Sequence, residues 1–296
     1  MKHITILIQA ILFLGLSHIS RAQVPDITAQ DLKDAVEFLS SDELKGRMSG
    51  SEGEEIAAKF LAEQFSSMGL ELIENKGMQY FDVVTGVEAG EQNMLMINDN
   101  ELKYGDDFVV LSFSPSATVE ETGIVFVGYG IILENDSISH NDYGDKELAG
   151  QWALILRGYP GGDKANNPYA ERSGEREKVL LAADHGAAGV IFINGTAFSK
   201  EDVLMDMFFD KSAAVAQIPV LQVSREAFRQ ATKDHPVKAL EAETDTDLDQ
   251  SDPSPVEGIR IFGQTDVRQT QVRARNVVAK LPGIDPYLKN EYVIIG

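Results

Sequence analysis

The 296-residue chain has no cysteine and few basic residues, with 26 Lys and Arg against 47 Asp and Glu. The lack of cysteine excludes disulfide bonds, a cysteine nucleophile and lipid attachment through an N-terminal cysteine. The net charge of −21 argues against nucleic acid as a partner, because contacts to phosphate require clustered Lys and Arg. The remaining composition, 43% hydrophobic and 25% charged, is that of a globular protein with one large or two small domains.

The most apolar segment lies at the N-terminus. Lys2 and His3 precede an apolar run at 4–16, and the small residues Ser20 and Ala22 follow it. This pattern predicts a secretory signal peptide over residues 1–22, and therefore a periplasmic or extracellular protein with no membrane attachment after cleavage. The run of 13 residues is shorter than the ~20 that a membrane span needs, which favours a cleaved signal. An uncleaved membrane anchor is the alternative.

Two amphipathic helices are predicted after the signal. Thr28 can cap the first, and Ser51 and Glu54 form a capping box for the second, which ends at Gly69. The loop between them is rich in glycine and contains Arg47, whose guanidinium can donate several hydrogen bonds. Arg47 is therefore a candidate substrate-binding residue. The alternative is a structural turn in which Arg47 pairs with an acid or caps a carbonyl.

The middle of the chain has the pattern of an α/β module. Residues 123–131 and 152–156 are apolar runs without alternation, which is typical of strands covered on both faces. A helix at 175–185 precedes a strand at 189–193, so that 152–193 forms a strand-helix-strand crossover. The same reasoning predicts one more helix, at 224–233. It also predicts further strands at 80–84, 93–97, 108–113, 218–223, 256–262 and 265–272.

The C-terminal third contains an acidic segment and two predicted strands. Residues 241–255 carry six acids and two prolines with almost no large apolar side chain, which indicates a solvated loop or linker. Residues 276–283 and 291–296 have the pattern of two neighbouring strands. The chain thus ends within an apolar strand pattern.

The residues themselves reveal no active site. The histidines after the predicted signal, His140, His185 and His235, are far apart in sequence, and we assign no His-Glu-x-x-His, His-x-Asp or paired-histidine metal motif to them. His185 is expected to be structural at a helix end and His235 to be solvated. The polar turn at 139–145 leaves a calcium site as an alternative. The acidic run 245–249 lacks the glycine of an EF-hand loop, and no serine lies beside a credible base. We therefore predict no catalytic residue and no metal ligand in this chain.

Three segments, taken in order, resemble the M28 family of zinc exopeptidases. Residues 46–53 read Gly-Arg-Met-Ser-Gly-Ser-Glu-Gly before a helix that ends near Gly69-Leu70, as in the N-terminal signature of that family. Residues 125–131, the 141–143 turn and 178–190 resemble the protease-associated (PA) domain that is inserted in many family members. Residues 275–283 and 291–296 are similar to the first two strands of the peptidase sheet.

The resemblance implies an α/β fold, in which a PA-type module is inserted into an incomplete zinc-exopeptidase domain of two helices and two strands. It implies the domain limits 1–22 for the signal, 23–103 for the first peptidase part, 104–250 for the PA-like domain and 251–296 for the return to the peptidase domain. Full-length family members bind two zinc ions and hydrolyse peptides. Their ligands and general base would follow residue 296, so this chain is expected to bind no zinc and to be inactive alone.

The resulting hypothesis is the N-terminal fragment of a secreted zinc aminopeptidase, in which 104–250 folds alone and the flanking segments are poorly ordered without the rest of the sheet. A second hypothesis is a complete, non-catalytic PA module that binds a peptide or protein. A third, a serine protease with a PA-like module, is weaker because no serine triad is found. The peptide preference and the oligomeric state do not follow from the sequence.

Overall fold

The computed structural model describes residues 27–144, 147–162, 165–195, 199–233 and 254–296. The predicted signal peptide, His235 and the acidic run 245–249 lie outside these residues. Within them, none of the helices combines the length and apolar character that a membrane span requires. The chain forms two compact units: a flanking unit of 27–79 with 275–296, and a central unit of 80–274. The predicted domain limits at 103/104 and 250/251 stay predictions.

The regular elements are helices and strands numbered in chain order. The α-helices are α1 (Ala29–Leu39), α2 (Glu52–Ser67), α3 (Glu175–Asp184) and α4 (Arg225–Ala231). The strands are β1 (Glu71–Leu72), β2 (Met78–Ala89), β3 (Met94–Ile97), β4 (Asn100–Glu101), β5 (Phe108–Val110), β6 (Ala117–Thr122), β7 (Ile124–Phe126), β8 (Ile132–Glu134), β9 (Ser139–Asn141), β10 (Trp152–Arg157), β11 (Gly189–Asn194), β12 (Val220–Val223), β13 (Ser254–Pro255), β14 (Ile261–Thr265), β15 (Val267–Val277) and β16 (Ala279–Lys280).

The two N-terminal helices of the flanking unit begin at the predicted caps. The Thr28 side chain accepts from the backbone N–H of Asp31, whose carboxylate accepts from the Thr28 N–H in return, so that the capping box is complete. Ser51 Oγ accepts from the N–H of Glu54 at 3.3 Å. Gly69, with φ +80°, follows the end of α2 in the left-handed region, where glycine has no Cβ penalty.

The predicted C-terminal strand pair is wrong. Residues 276–283 become the end of β15 and the short β16, which pairs antiparallel with β1 rather than with 291–296. Residues 291–296 form no strand, and Val293, Ile294 and Ile295 are each more than 90% exposed. An apolar pattern is not sufficient for a strand, because strand geometry depends on ladder hydrogen bonds to a neighbour, and among the described residues 291–296 pairs with none.

The central unit is built around a six-stranded sheet of order β13-β7-β10-β11-β12-β5. The four inner strands are parallel, and the two edge strands run antiparallel to their neighbours. Side chains of β10 alternate between two hydrophobic clusters, Trp152 and Leu154 on one face and Ala153 and Ile155 on the other. Because both faces of the sheet are buried, the apolar segments at 123–131 and 152–156 do not alternate between apolar and polar residues.

A second sheet, of order β4-β3-β14-β6, belongs to the same hydrophobic cluster as Trp152. The indole ring lies against two glycines: a methyl group on Gly189 would approach it to 2.3 Å, and one on Gly263 to 2.4 Å. Both distances are shorter than any real carbon–carbon contact, so close packing of the ring excludes a side chain at either position. The remaining pairs of strands are β2 with β15 and β8 with β9.

Candidate binding site at the carboxyl edge of the central sheet

Polar side chains meet where the parallel strands of the central sheet end. In open α/β sheets this edge is where ligands bind. Arg157 closes β10 and donates from Nη1 to Asn194 Oδ1 at 3.0 Å, at the end of β11. Gln222 of β12 donates to the same oxygen at 3.2 Å, and Glu175 at the start of α3 accepts from Arg157 Nε and Nη2 at 3.0 and 2.9 Å. Three strands and one helix are thereby joined through one network.

The buried lysine of this region, Lys178, lies on α3 beside the same edge. Its Nζ donates to the carbonyl oxygens of Leu156 and Gly158 at 3.1 and 2.6 Å. Desolvation by burial lowers the pKa of Lys178 to about 7, with the carboxylates of Glu175 and Asp142 opposing the shift. The residue is fully buried, so its amine holds the chain after β10 and is not exposed to a ligand.

The prediction of no His-x-Asp motif is wrong, because the sequence contains one such triplet, His140-Asn141-Asp142, in the polar 139–145 turn. His140 Nε2 lies 3.0 Å from Asp142 Oδ1, and the other carboxylate oxygen accepts from the N–H of Ile131 at 2.9 Å. Asn141 Oδ1 accepts from the N–H groups of Tyr143 and Gly144. The side-chain oxygens of Asn141 and Asp142 are thus engaged by protein groups, which does not favour the calcium alternative at these two residues.

The zinc ions that the family resemblance implies find no fitting site in the described part of the chain. No group of three or more His, Cys, Asp or Glu side chains there could hold a metal ion. The His140 and Asp142 pair supplies only two such groups, whereas zinc is usually held by three or four protein ligands. No step of catalysis is therefore assigned to a metal on these residues.

Two other residues singled out from the sequence have local partners. His185 caps the end of α3; its Nδ1 lies 2.8 Å from the carbonyl oxygen of Leu181, and its ring stacks on Tyr143 at 4.3 Å between centroids. A carbonyl oxygen can only accept, so Nδ1 carries the proton. Arg47, with φ +55°, donates to the carbonyl oxygen of Leu39 at the end of α1. Carbonyl capping by Arg47 was one of the two alternatives; its contact with a substrate stays a prediction.

The carboxyl-edge network is suited to positioning and not to bond-breaking. Its donors and acceptors are engaged by other groups of the protein: Asn194 Nδ2 donates to the carbonyl oxygen of Val203 at 2.8 Å, and Gln222 Oε1 accepts from the N–H of Met205 at 2.7 Å. The network therefore fixes the long segment after β11. In the sequence, Arg157 and Asn194 can be recognised as polar residues that directly follow predicted buried strands. That their side chains meet could be known only from the order of the strands in the sheet.

Comparison with known proteins gives one sequence match. Residues 122–230 match the PA domain family. No curated protein matches the chain significantly. A PA domain therefore lies within the central unit.

Solved structures of aminopeptidases are similar at low identity. An aminopeptidase from Aneurinibacillus sp. strain AM-1 is 22% identical with a TM-score of 0.41, over 88% of this chain and 49% of that one. The zinc aminopeptidase BSAP from Bacillus subtilis is 17% identical with a TM-score of 0.36, over 86% and 48%. A peptidase M28 precursor from Shewanella amazonensis SB2B is 15% identical with a TM-score of 0.33, over 85% and 53%. The chain spans about half the length of these proteins. The chain itself has a mixed α/β fold that contains a PA domain over residues 122–230.

Proposed function

We propose that this chain is the N-terminal part of an exported zinc exopeptidase, an aminopeptidase, and that its PA domain binds peptide segments for that enzyme. The observation that carries the proposal is the position of the PA domain at 122–230, between two segments that resemble the M28 peptidase domain. The glycine-rich loop with Arg47 and helix α2 lie before it, and residues 275–283 lie after it.

The exposed apolar surface of the flanking unit supports a larger peptidase domain. Helix α1 has no buried residue, although it is amphipathic, and Leu32 and Val36 are 60% and 65% exposed. Helices of globular proteins are stabilised mainly by packing their apolar face. In the proposed enzyme the remainder of the peptidase domain covers this face and provides the zinc ligands, and zinc would lower the pKa of the attacking water.

An activity assay on two forms of the protein tests the proposal. The 296-residue chain, given Zn²⁺ and an aminoacyl p-nitroanilide, is expected to release no product. A longer product of the same gene, encoding a His-x-Asp motif shortly after Gly296, is expected to release p-nitroaniline until a chelator removes zinc. Hydrolysis by the 296-residue chain alone would refute its assignment as a non-catalytic part of the enzyme.

A secreted binding module without catalysis is the second candidate, and it is favoured by the sequence match itself, which is to a PA domain at 122–230. Such a module needs no zinc and no further domain. A stop codon directly after Gly296 in an intact gene would support it against the peptidase. Absence of a His-x-Asp motif from every reading frame after the codon for Gly296 would likewise support the binding module.

A further inference from the structure

Strand β15 has one edge that pairs with no other strand in the described part of the chain, since its sheet contains only β15 and β2. Along a strand, the N–H and C=O groups of successive residues point alternately to its two edges. The C=O of Thr270 accepts from Thr85 Oγ1 of β2 at 3.4 Å, and the C=O of Asp266 accepts from the first N–H after β2 at 2.8 Å. Even-numbered residues therefore face β2, and odd-numbered residues face the opposite edge, which we call the outer edge.

Two side chains occupy the ends of the outer edge. Ser116 Oγ accepts from the N–H of Val267 at 2.9 Å and donates to the C=O of the same residue at 3.1 Å. Glu54 Oε1 accepts from the N–H of Arg275 at 3.2 Å. Both backbone residues are odd-numbered, which agrees with the alternation along β15. Side chains thus satisfy the outward backbone groups at 267 and the outward N–H at 275.

Between these two ends the outer edge is open over 269–273, which lies within the central unit. The outward N–H and C=O groups belong to Gln269, Gln271 and Arg273, and no described residue forms a hydrogen bond with them. None of the five residues from 269 to 273 is buried. Unpaired backbone groups on an exposed strand edge are a template for pairing with another extended chain. The open stretch can therefore take up an added strand of about five residues.

Strand β6 shows that the outer edge accepts a strand. β6 begins directly after Ser116 and pairs antiparallel with β14, the strand that precedes β15 in the chain. Its first residue, Ala117, lies opposite Thr265. The pairing does not extend towards 269, because Pro115 on the other side of Ser116 has no N–H to donate. A peptide bound at 269–273 would continue along β15 the line that β6 follows along β14.

The charge at the open edge is that of Arg273. β15 contains three arginines and no acid, and two of the three, Arg268 and Arg275, form ion pairs with carboxylates. Arg273 forms no ion pair with a described residue; its exposed guanidinium lies over the ring of Tyr80, 4.3 Å from the centroid. Opposite charges that face each other on neighbouring strands attract. Arg273 therefore favours an acidic side chain at the facing position of an added strand.

We propose that the outer edge of β15 at 269–273 binds an extended segment of the enzyme's polypeptide substrate as an added β-strand, with an acidic side chain of that segment opposite Arg273. The proposal rests on the proposed exopeptidase function and adds a place, outside the PA domain, that holds the substrate chain. Hydrogen bonds to the main chain supply the affinity, and Arg273 supplies a preference among sequences. Main-chain recognition suits a peptidase, because substrates that differ in their side chains have the same backbone.

Fluorescence anisotropy with labelled, end-blocked Glu-Val-Thr-Val-Glu tests the proposal on the full chain. A Glu at each end places one of them opposite Arg273 in either direction of binding. Two further peptides carry an N-methyl group, one on the central Thr and one on the Val after it. Neighbouring N–H groups of an extended peptide point to opposite edges, so only one of the two methyl groups faces β15. That peptide is expected to bind about tenfold more weakly, and the other as well as the unmodified probe. Equal affinity of the two methylated peptides, or no binding of the probe at millimolar concentration, would overturn the proposal.

Substitutions in β15 locate the site. Gln271→Pro removes an outward N–H and leaves the hydrogen bonds to β2 in place, so it is expected to weaken binding of the probe about tenfold. Gln271→Thr keeps the N–H and is the matched control, with the affinity of the wild type. Arg273→Gln is expected to weaken the probe about threefold and to leave binding of Gln-Val-Thr-Val-Gln unchanged. Equal affinities of the two Gln271 variants, or an equal loss of both peptides in Arg273→Gln, would contradict the proposal. The methylated peptides decide on the wild type if Gln271→Pro does not fold.

Kinetics of the longer, active gene product separate this proposal from the proposed function. Gln271→Pro is expected to raise the KM for β-casein, an unfolded acidic protein, about tenfold with kcat unchanged, and to leave hydrolysis of an aminoacyl p-nitroanilide unaltered, since that substrate has no chain to pair with β15. No hydrolysis of the p-nitroanilide by the longer product would refute the proposed enzyme. Hydrolysis of the p-nitroanilide with an unchanged KM for β-casein would refute the added substrate strand alone. A dimer of the 296-residue chain in sedimentation that the probe dissociates would assign the edge to a second copy and overturn its assignment to the substrate.

Discussion

The amine of Lys178 donates a hydrogen bond to the carbonyl oxygen of Gly158 at 2.6 Å, with both atoms inside the central unit. It donates a second one to Leu156 at 3.1 Å, so that two carbonyls at the end of β10 share one donor. Tyr129 presents its ring 5.7 Å from the same amine. The lysine thus ties α3 to the point where the chain leaves the central strand, which also carries Arg157 of the carboxyl-edge network.

Replacement of Lys178 by Met should remove a pH dependence of stability. Burial lowers the pKa of Lys178 to about 7, against about 10.5 in the unfolded chain. Between these values the unfolded state binds more protons, so this group makes the folded protein more stable as the pH rises. From pH 7 to pH 9 the stability of the wild type should increase by about 2 kcal/mol relative to Lys178→Met.

Urea unfolding at pH 7 and pH 9, followed by circular dichroism, measures this difference. The range ends at pH 9 because burial raises the pKa of Tyr143, whose ionisation would add the opposite trend at higher pH. Lys200→Met, at an exposed position, is the control and should leave the pH dependence of the wild type unchanged. Parallel pH profiles for Lys178→Met and the wild type would disprove the assignment.

Replacement of Gly263 by Ala should destabilise the central unit by about 1–3 kcal/mol, because the added methyl group would lie 2.4 Å from Cζ2 of Trp152. Trp152 is the only tryptophan, so its fluorescence reports the unfolding directly. Gly86→Ala is the matched control in a strand: its methyl group meets Thr270 at an ordinary 3.8 Å, and its effect on the urea midpoint should be small. An equal shift for both variants would contradict the role of Trp152.

The strands around Trp152 were predictable, but their contacts were not. Residues 152–156 and 189–193 are apolar at every position, which is typical of a strand buried on both faces, and both strands are confirmed. The glycine at 263 was not interpreted as a packing position. Its reason lies 111 residues away in the indole of Trp152, and sequence periodicity contains no information on which side chain faces which glycine.

The candidate site was less predictable than the fold. Arg157, Asn194 and Gln222 come from three strands, and only the parallel register of β10, β11 and β12 brings their side chains together. The turn at 139–145 was recognised as polar, and its His-x-Asp triplet could be read from the sequence, but the 3.0 Å contact between His140 Nε2 and Asp142 Oδ1 could not. The apolar run at 291–296 was misassigned because hydrophobicity alone does not specify a partner strand.

Replacement of Asp142 by Asn should destabilise the central unit by about 1–3 kcal/mol, because the amide keeps the shape but not the charge of the acceptor. The carboxylate is fully buried, and it accepts from the Ile131 N–H at 2.9 Å and lies 3.0 Å from His140 Nε2. Urea unfolding followed by Trp152 fluorescence measures the loss. Asp136→Asn, at an exposed position, is the control. If the two variants unfold at the same urea concentration as the wild type, the Asp142 contacts contribute nothing measurable.

Arg275 and Glu54 should show a favourable coupling in a double-mutant cycle. Their side chains are only 12% and 15% exposed, and Arg275 Nε lies 3.2 Å from Glu54 Oε2 within the flanking unit. Because water screens such a pair poorly, we expect Arg275→Gln and Glu54→Gln each to cost about 2 kcal/mol, and the double variant to cost about 1–2 kcal/mol less than their sum. Urea unfolding followed by circular dichroism at 222 nm, where α1 and α2 contribute, measures all four proteins. The control pair is Lys33 and Glu37 on α1, whose side chains are 64% and 65% exposed and whose coupling should be near zero. If the coupling energy of Arg275 and Glu54 is as small as that of Lys33 and Glu37, the pair contributes no more to the stability of the flanking unit than a surface ion pair does.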